Sequence, residues 1–439
     1  MVKITMKIAT IITATAAAFL SFASCTMFQN QKAEGRSDQR SERLGLNATA
    51  LDTMNCYVAN PDGYLFTGRN HATLKFKIRD PHPDSLITLI AIRDTSLNKP
   101  ARDTALVIKK RFKGSEGQFG LGLIEPGFYQ IHIGKDHFNV GIRPEEIESP
   151  QDKQPDFDEF WKSTLDELAR VPINARYEPL PEHSDSVRQC FKIEMNSFGD
   201  KTMGGILTIP VKPGKYPVSV EYMGYGAWPY YRDPSENPGR IDFLVSVRGQ
   251  GIFRTPDYDW WCYEGMDSPQ DYYYRGAFCD VVRAIDFVCS LEKADTSKIF
   301  AWGDSQGGAF TWVSAALDHR VRAIAPSVPF LGDYPDYAKI VNWPVGVIYR
   351  LGEKQGLSKE HLLRMLSYFD IKNLTDKVEC PVYMAFGMQD PVCPPHTNFA
   401  GYNQCNAPKK YFCVPLCEHS MWREPIWQKE RREFFEQFI

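Results

Sequence analysis

At 439 residues the chain exceeds the usual size of one domain, so a large domain with a smaller companion is the starting expectation. Hydrophobic residues make up 43% and charged residues 24%, the balance of a chain that buries an ordinary core in water. A formal net charge of −3, with no basic stripe along the chain, excludes a nucleic-acid binder.

Residues 1–25 read as a signal peptide. Lys3 and Lys7 supply a positive start, and "IATIITATAAAFLSF" is apolar but too short and threonine-rich to span a membrane. The run ends in "FASC", which resembles the lipobox of bacterial lipoproteins, with Phe22 where leucine is usual. That resemblance implies lipidation at Cys25 and residence in the bacterial cell envelope, as a periplasmic or outer-membrane lipoprotein. The alternative is an ordinary cleaved signal in which Cys25 is incidental. Residues 26–50 are polar and unpatterned, as a flexible tether would be.

Across residues 51–145, "HATLKFKIRD", "LITLIAIRD", "TALVIKKRF" and "GFYQIHIG" each run the length of a strand between turn residues. No helical pattern interrupts them, so a small β-sandwich with accessory duty is expected. The proline- and acid-rich "RPEEIESPQDKQP" then connects it to a second domain, residues 146–439. "DFDEFWKSTLDELARVP" predicts an amphipathic helix with Phe157, Phe160, Trp161, Leu165 and Leu168 on one side. Beyond it, apolar strand-like runs ("GGILTIP", "YPVSVEYMG", "DFLVSVRGQ", "KIFAWG", "VRAIAPSVP", "CPVYMAFG", "KKYFCVPL") alternate with helical ones. Such alternation predicts an α/β fold, a mostly parallel sheet with helices on both faces. The stretches 226–239 and 252–274 fit no such unit and read as loops over the C-terminal edge of the sheet, where ligands bind.

The ten cysteines after Cys25 form no disulfide framework, and several lie in apolar runs where a thiol is a small core residue. The nine histidines show no ligand spacing, so neither a metal nor any other cofactor is expected.

Gly303-Asp304-Ser305-Gln306-Gly307 is the one GxSxG in the chain, placed where a strand should hand over to a helix. A sharp turn there strains the central residue and brings neighbouring elements close, so glycine is needed two positions either side. The turn would present Ser305 as a nucleophile and leave the Gln306 N–H free for a developing oxyanion. A serine hydroxyl needs a base, and the base a partner that fixes its tautomer. In an α/β-hydrolase the acid and then the histidine follow the serine. Asp390, after "CPVYMAFG", and His419, after "KKYFCVPL", stand in that order. His396 is the rival base; Asp370, upstream of its strand, is the rival acid, with Asp304 read as a local hydrogen-bonding residue.

These motifs, with "DFDEFW", "RGQG" at 248–251, "GDSQGG", "LSYFDIKNL" and "DPVCPP", resemble the acetyl xylan esterase and cephalosporin C deacetylase group, carbohydrate esterase family seven. The resemblance runs from about Pro155 to the C-terminus. It implies Ser305 as nucleophile, Asp390 as acid and His419 as base, with an oxyanion hole of the Tyr225 and Gln306 N–H groups. It implies that Arg248 and Gln250 brace the edge of the site. Met223 stands where the family has histidine, and Ser420 where it has glutamate, so substrate range is less well implied than mechanism.

The expected function is therefore a serine esterase that removes acetyl groups from xylan-type poly- or oligosaccharides through an acyl-enzyme. Trp228, Trp260 and Trp261 lie among aromatics near the expected mouth and are candidates for stacking on sugar rings. A membrane would be met only through the N-terminal lipid, and assembly into a homo-oligomer is open. Two other readings remain at this point: a serine peptidase on the same fold, and a non-catalytic glycan-binding lipoprotein.

Overall fold

The computed structural model describes residues 56–58, 64–68, 72–78 and 85–439, apart from 113, 123, 134, 135 and 234. The leader, Cys25 and the tether lie outside the described residues. Two sheets form the N-terminal part. One joins β1 (Cys56–Val58), β3 (Thr73–Ile78) and β6 (Glu116–Gly120); the other runs β2 (Leu65–Phe66), β8 (Asp136–Ile142), β7 (Gly127–Ile133), β4 (Ser85–Arg93), β5 (Thr104–Phe112). Alternation turns Phe76, Phe112 and Phe119 inward, where their rings meet at centroid distances of 5.0–5.2 Å. Sequence periodicity finds β3, β4, β5 and β7. It misses β6, which carries two glycines, and β8, which starts straight after β7.

This unit is not a free appendage. Phe128 of β7 reaches Phe399 at 5.7 Å, and the Asn139 N–H of β8 donates to Gln389 Oε1 at 2.7 Å. The connector lies along the second part, where the Asp152 N–H donates to Asn373 Oδ1 at 3.0 Å.

The first helix, α1 (Phe157–Ala169), buries Phe157, Phe160, Trp161, Thr164 and Leu168. Leu165 is half-buried against Leu168, Phe198, Cys279 and Val282, and Thr164, which the pattern left out, is buried beside it with its hydroxyl accepting from Arg275 Nε at 3.0 Å. Nine strands then form one sheet. Antiparallel β9 (Arg176–Pro179), β10 (Arg188–Ser197) and β11 (Lys201–Pro210) lead into parallel β13 (Ile241–Ser246), β12 (Tyr216–Tyr222), β14 (Ala294–Asp304), β15 (Ala323–Ser327), β16 (Val382–Gly387) and β17 (Lys409–Val414). Along β14, Ile299 and Ala301 face the core under α2 (Tyr273–Ser290) and α3 (Gln306–Leu317). Phe300 and Trp302 face the opposite cluster, closed by Trp427, Phe434 and Phe435 of α8 (Pro425–Glu436). Both faces of the parallel strands are thus covered, as runs apolar at every position require.

Between β15 and β16 the chain makes three helices that periodicity did not reveal: α4 (Tyr334–Ile340), α5 (Val345–Lys354) and α6 (Lys359–Leu366). α7 (Pro395–Gln404) follows β16. None of the described helices is long and apolar enough to cross a membrane. The nine cysteines from Cys190 to Cys417 are free thiols, most of them buried.

Candidate active site

β14 ends at Asp304, and Ser305 takes φ 59° and ψ −119° before α3 begins. A positive φ on a residue with a Cβ is strained, and tertiary contacts must hold it. They do: the Ser305 N–H donates to Ser327 O, and its carbonyl accepts from Ala309 and Phe330, all at 3.0 Å. The hydroxyl makes no cap hydrogen bond to the helix. The flanking glycines have a steric origin. A Cβ on Gly303 would stand 2.4 Å from the Tyr222 carbonyl oxygen, and one on Gly307 only 1.9 Å from it.

Asp390 and His419 come together. Asp390, 2% exposed, follows β16; His419 follows β17. Asp390 Oδ1 accepts the N–H groups of Val392 and Cys393 at 2.8 and 2.9 Å, which fixes the carboxylate plane. Its Oδ2 lies 2.8 Å from His419 Nδ1. Nδ1 therefore carries the proton, and Nε2 is the ring nitrogen free to accept one. Burial opposes the charged imidazolium, but the Asp390 carboxylate overrides it and holds the His419 pKa above the ordinary imidazole value. Cys393 also touches the ring, yet burial keeps that thiol protonated, so Asp390 carries the shift. Burial raises the Asp304 carboxyl above the ordinary carboxylate range, against the opposing pull of the Arg431 guanidinium.

The rivals go elsewhere. His396 lies among Asp94, Asp333 and Asp336, at 3.2 to 3.6 Å. Asp370 accepts the N–H groups of Asp333, Tyr334 and Lys372 and braces that loop.

Among the described residues, neither the Tyr225 nor the Gln306 N–H has a hydrogen-bond partner. A buried pair of amides sets these two segments side by side. Gln250 Nε2 donates to Gln306 Oε1 at 3.2 Å, and Gln306 Nε2 returns a bond to Gln250 Oε1 at 3.1 Å. The same Gln250 oxygen accepts the Gly226 N–H at 2.9 Å, and Gln250 Nε2 also donates to Tyr273 Oη at 2.9 Å. Arg248 grips the Asp280 carboxylate from Nη2 and Nε, at 2.7 and 2.8 Å, and so ties the RGQ turn to α2.

The tryptophans divide. Trp228 and Trp260 are each 48% exposed, the first lying 4.7 Å beneath the Arg254 guanidinium. Trp261 is 2% exposed and packs edge-on to Tyr225 at 5.2 Å, so its expected role in stacking on sugars is corrected: its faces are spent on the core. Sequence reading missed Trp343, between α4 and α5. It stacks on Phe330, whose N–H donates to the Ser305 carbonyl, at 5.4 Å and meets Tyr225 edge-on at 5.7 Å. No local signal marks it, because it belongs to the stretch whose helices went unread. Met223 points into an apolar cluster with Cys190, Ile206 and Leu244.

The family model described as acetyl xylan esterase (AXE1) matches residues 145–437. Acetyl esterase Axe7A of Xylanibacter ruminicola is 28% identical over 351 residues, 74% of this chain and 79% of that protein. The acetyl xylan esterase of Paenibacillus sp. R4 superposes with a TM-score of 0.63 at 28% identity, covering 68% of this chain and 99% of that one. Acetyl xylan esterase 1 of Thermoanaerobacterium sp. JW/SL YS485 gives 0.61 at 25% identity, covering 67% and 98%. An alternating α/β sheet with a GxSxG turn at its edge, matched along two-thirds of its length to such enzymes, is accounted for in one way: the chain belongs to the acetyl xylan esterase family and is a carboxylic ester hydrolase of the α/β-hydrolase fold.

Proposed function

We propose that the protein deacetylates acetylated xylan-type poly- or oligosaccharides, with Ser305, His419 and Asp390 acting as a catalytic triad. The observation that carries this reading is the 2.8 Å contact between His419 Nδ1 and Asp390, on the sheet edge where Ser305 is held in its strained turn. Ser305 Oγ attacks the acetyl carbonyl while His419 Nε2 takes its proton. The oxyanion is received by the Tyr225 and Gln306 N–H groups, which are positioned before the charge develops. His419 then returns the proton to the departing sugar oxygen, the ester to Ser305 forms, and water attacks it with His419 again as base. The exposed faces of Trp228 and Trp260 are suited to sugar rings. The names of the relatives support acetyl as the acyl group.

The test is acetate release from acetylated xylan and acetylated xylo-oligosaccharides, beside a small acetyl ester and an aminoacyl amide. Turnover of the acetylated glycans is expected, with the amide left intact. Cleavage of the amide, and not of any acetyl ester, would replace this reading with that of a peptidase.

The leader motif supports export and attachment of a lipid at Cys25. Cells fed labelled fatty acid are expected to label the protein, and Cys25→Ser to abolish the label; undiminished labelling of that variant would remove the anchor.

A further inference from the structure

One cluster away from Ser305 has bonding capacity that the protein itself does not meet. Asp94, just past β4, Asp333 and Asp336 at the start of α4, and His396 in the first turn of α7 converge where the β-sandwich touches the hydrolase domain. Asp94, Asp333 and His396 are 6%, 1% and 7% exposed. Asp94 Oδ2, Asp333 Oδ2 and both ring nitrogens of His396 are buried without a hydrogen-bond partner. Buried polar atoms are rarely left so, and each such case calls for an explanation.

The spacing supplies one. His396 Nε2 stands 3.6 Å from Asp333 Oδ2 and 3.5 Å from Asp336 Oδ2. An N–H···O bond closes to about 3 Å, so neither contact is a good hydrogen bond. Two donors sharing a tetrahedral cation at about 2.1 Å would lie roughly 3.4 Å apart, close to what is found. The three ligand atoms lie within 4.8 Å of one another. Each carboxylate has its other oxygen occupied: Asp333 Oδ1 accepts from Lys372 Nζ at 3.0 Å, and Asp336 Oδ1 from Lys339 Nζ. Only the Oδ2 atoms are left to face the imidazole. On its far side, His396 Nδ1 stands 3.2 Å from Asp94 Oδ2, near enough that a small turn of the ring would make the bond by which a carboxylate orients a metal-bound histidine. The Asp336 side chain is 27% exposed, which gives an ion a path inward and water a place as fourth ligand.

We propose that Asp333 Oδ2, Asp336 Oδ2 and His396 Nε2 bind a divalent transition cation of the zinc type, with Asp94 steering the imidazole. The site is structural: it ties residues 94, 333–336 and 396 together and so fastens the β-sandwich to the hydrolase domain. It takes no part in the chemistry at Ser305.

Full-length protein purified without chelator or metal-affinity resin is assayed for bound metal, then stripped and titrated with Zn²⁺ and Co²⁺. About one equivalent is expected, with the visible bands of tetrahedral Co²⁺ and a rise in Tm on adding Zn²⁺. In His396→Ser and Asp336→Asn, Co²⁺ affinity should fall at least about tenfold and the Zn²⁺-dependent rise in Tm should vanish, while the folded variants keep esterase activity. Asp336→Asn, at the exposed side, decides the matter if His396→Ser does not fold. Wild-type protein that neither retains nor titrates either ion overturns the proposal and leaves a protonated imidazole pinned among carboxylates. Equal binding by wild type and Asp336→Asn overturns it too, as ions held elsewhere.

Discussion

Replacing Ser305 with alanine is expected to lower kcat by about 10⁴- to 10⁶-fold on any acetyl ester, with Tm almost unchanged. The two outcomes separate because of what the hydroxyl does and does not touch. It makes no cap bond to α3, and the turn is held by main-chain bonds to Ser327, Phe330 and Ala309, which alanine keeps. Both residues bear a Cβ, so the positive φ costs about the same in either. The variant therefore loses the attacking atom and little else. A fluorophosphonate probe should label the wild type at Ser305 and leave Ser305→Ala unlabelled. Wild-type turnover by the variant would remove Ser305 from the reaction.

The second large effect is expected from Asp390→Asn, a fall in kcat of about 10³- to 10⁴-fold. The Val392 and Cys393 N–H groups both donate to Asp390 Oδ1, so an asparagine would keep its carbonyl oxygen there. Its NH₂ would then face His419 Nδ1 as a donor. That forces the proton onto Nε2, the nitrogen that must accept from serine. The pH profile gives an independent reading. The base works as the neutral imidazole, and the Asp390 carboxylate raises its pKa, so wild-type kcat/KM should fall as pH drops through a value above the ordinary ~6.5. In Asp390→Asn the anion is gone, and the acid limb of the residual activity should move to lower pH. A limb that stays in place, or a variant at the wild-type rate, would separate Asp390 from the base.

The active-site network gives the RGQ motif a physical role. Gln250 joins the Tyr225–Gly226 segment to the Ser305–Gln306 turn, through a reciprocal amide pair with Gln306 and a bond to the Gly226 N–H. Breaking a buried amide pair strands polar groups away from water, so this one is costly to disturb. Arg248 acts one step further back, through Asp280 on α2.

Local pattern alone was enough for the strands from β11 onward, for α1, and for the position of Ser305 between its glycines. Those features are written in consecutive residues: apolar runs, a helical stripe, small residues at a crowded turn. The order of serine, aspartate and histidine along the chain could be read only by setting it beside that of an α/β-hydrolase. What the tertiary structure alone decided rests on residues far apart in sequence. It brought His419 to Asp390 and sent His396 to Asp94, Asp333 and Asp336. It buried Trp261 while leaving Trp260 exposed, a difference that two adjacent, identical side chains cannot announce. It also folded residues 334–366 into three helices whose short apolar faces have meaning only against the core they cover. Periodicity records which side of an element is apolar; which other element meets that side, and which polar atoms are trapped between them, is set when the chain closes on itself.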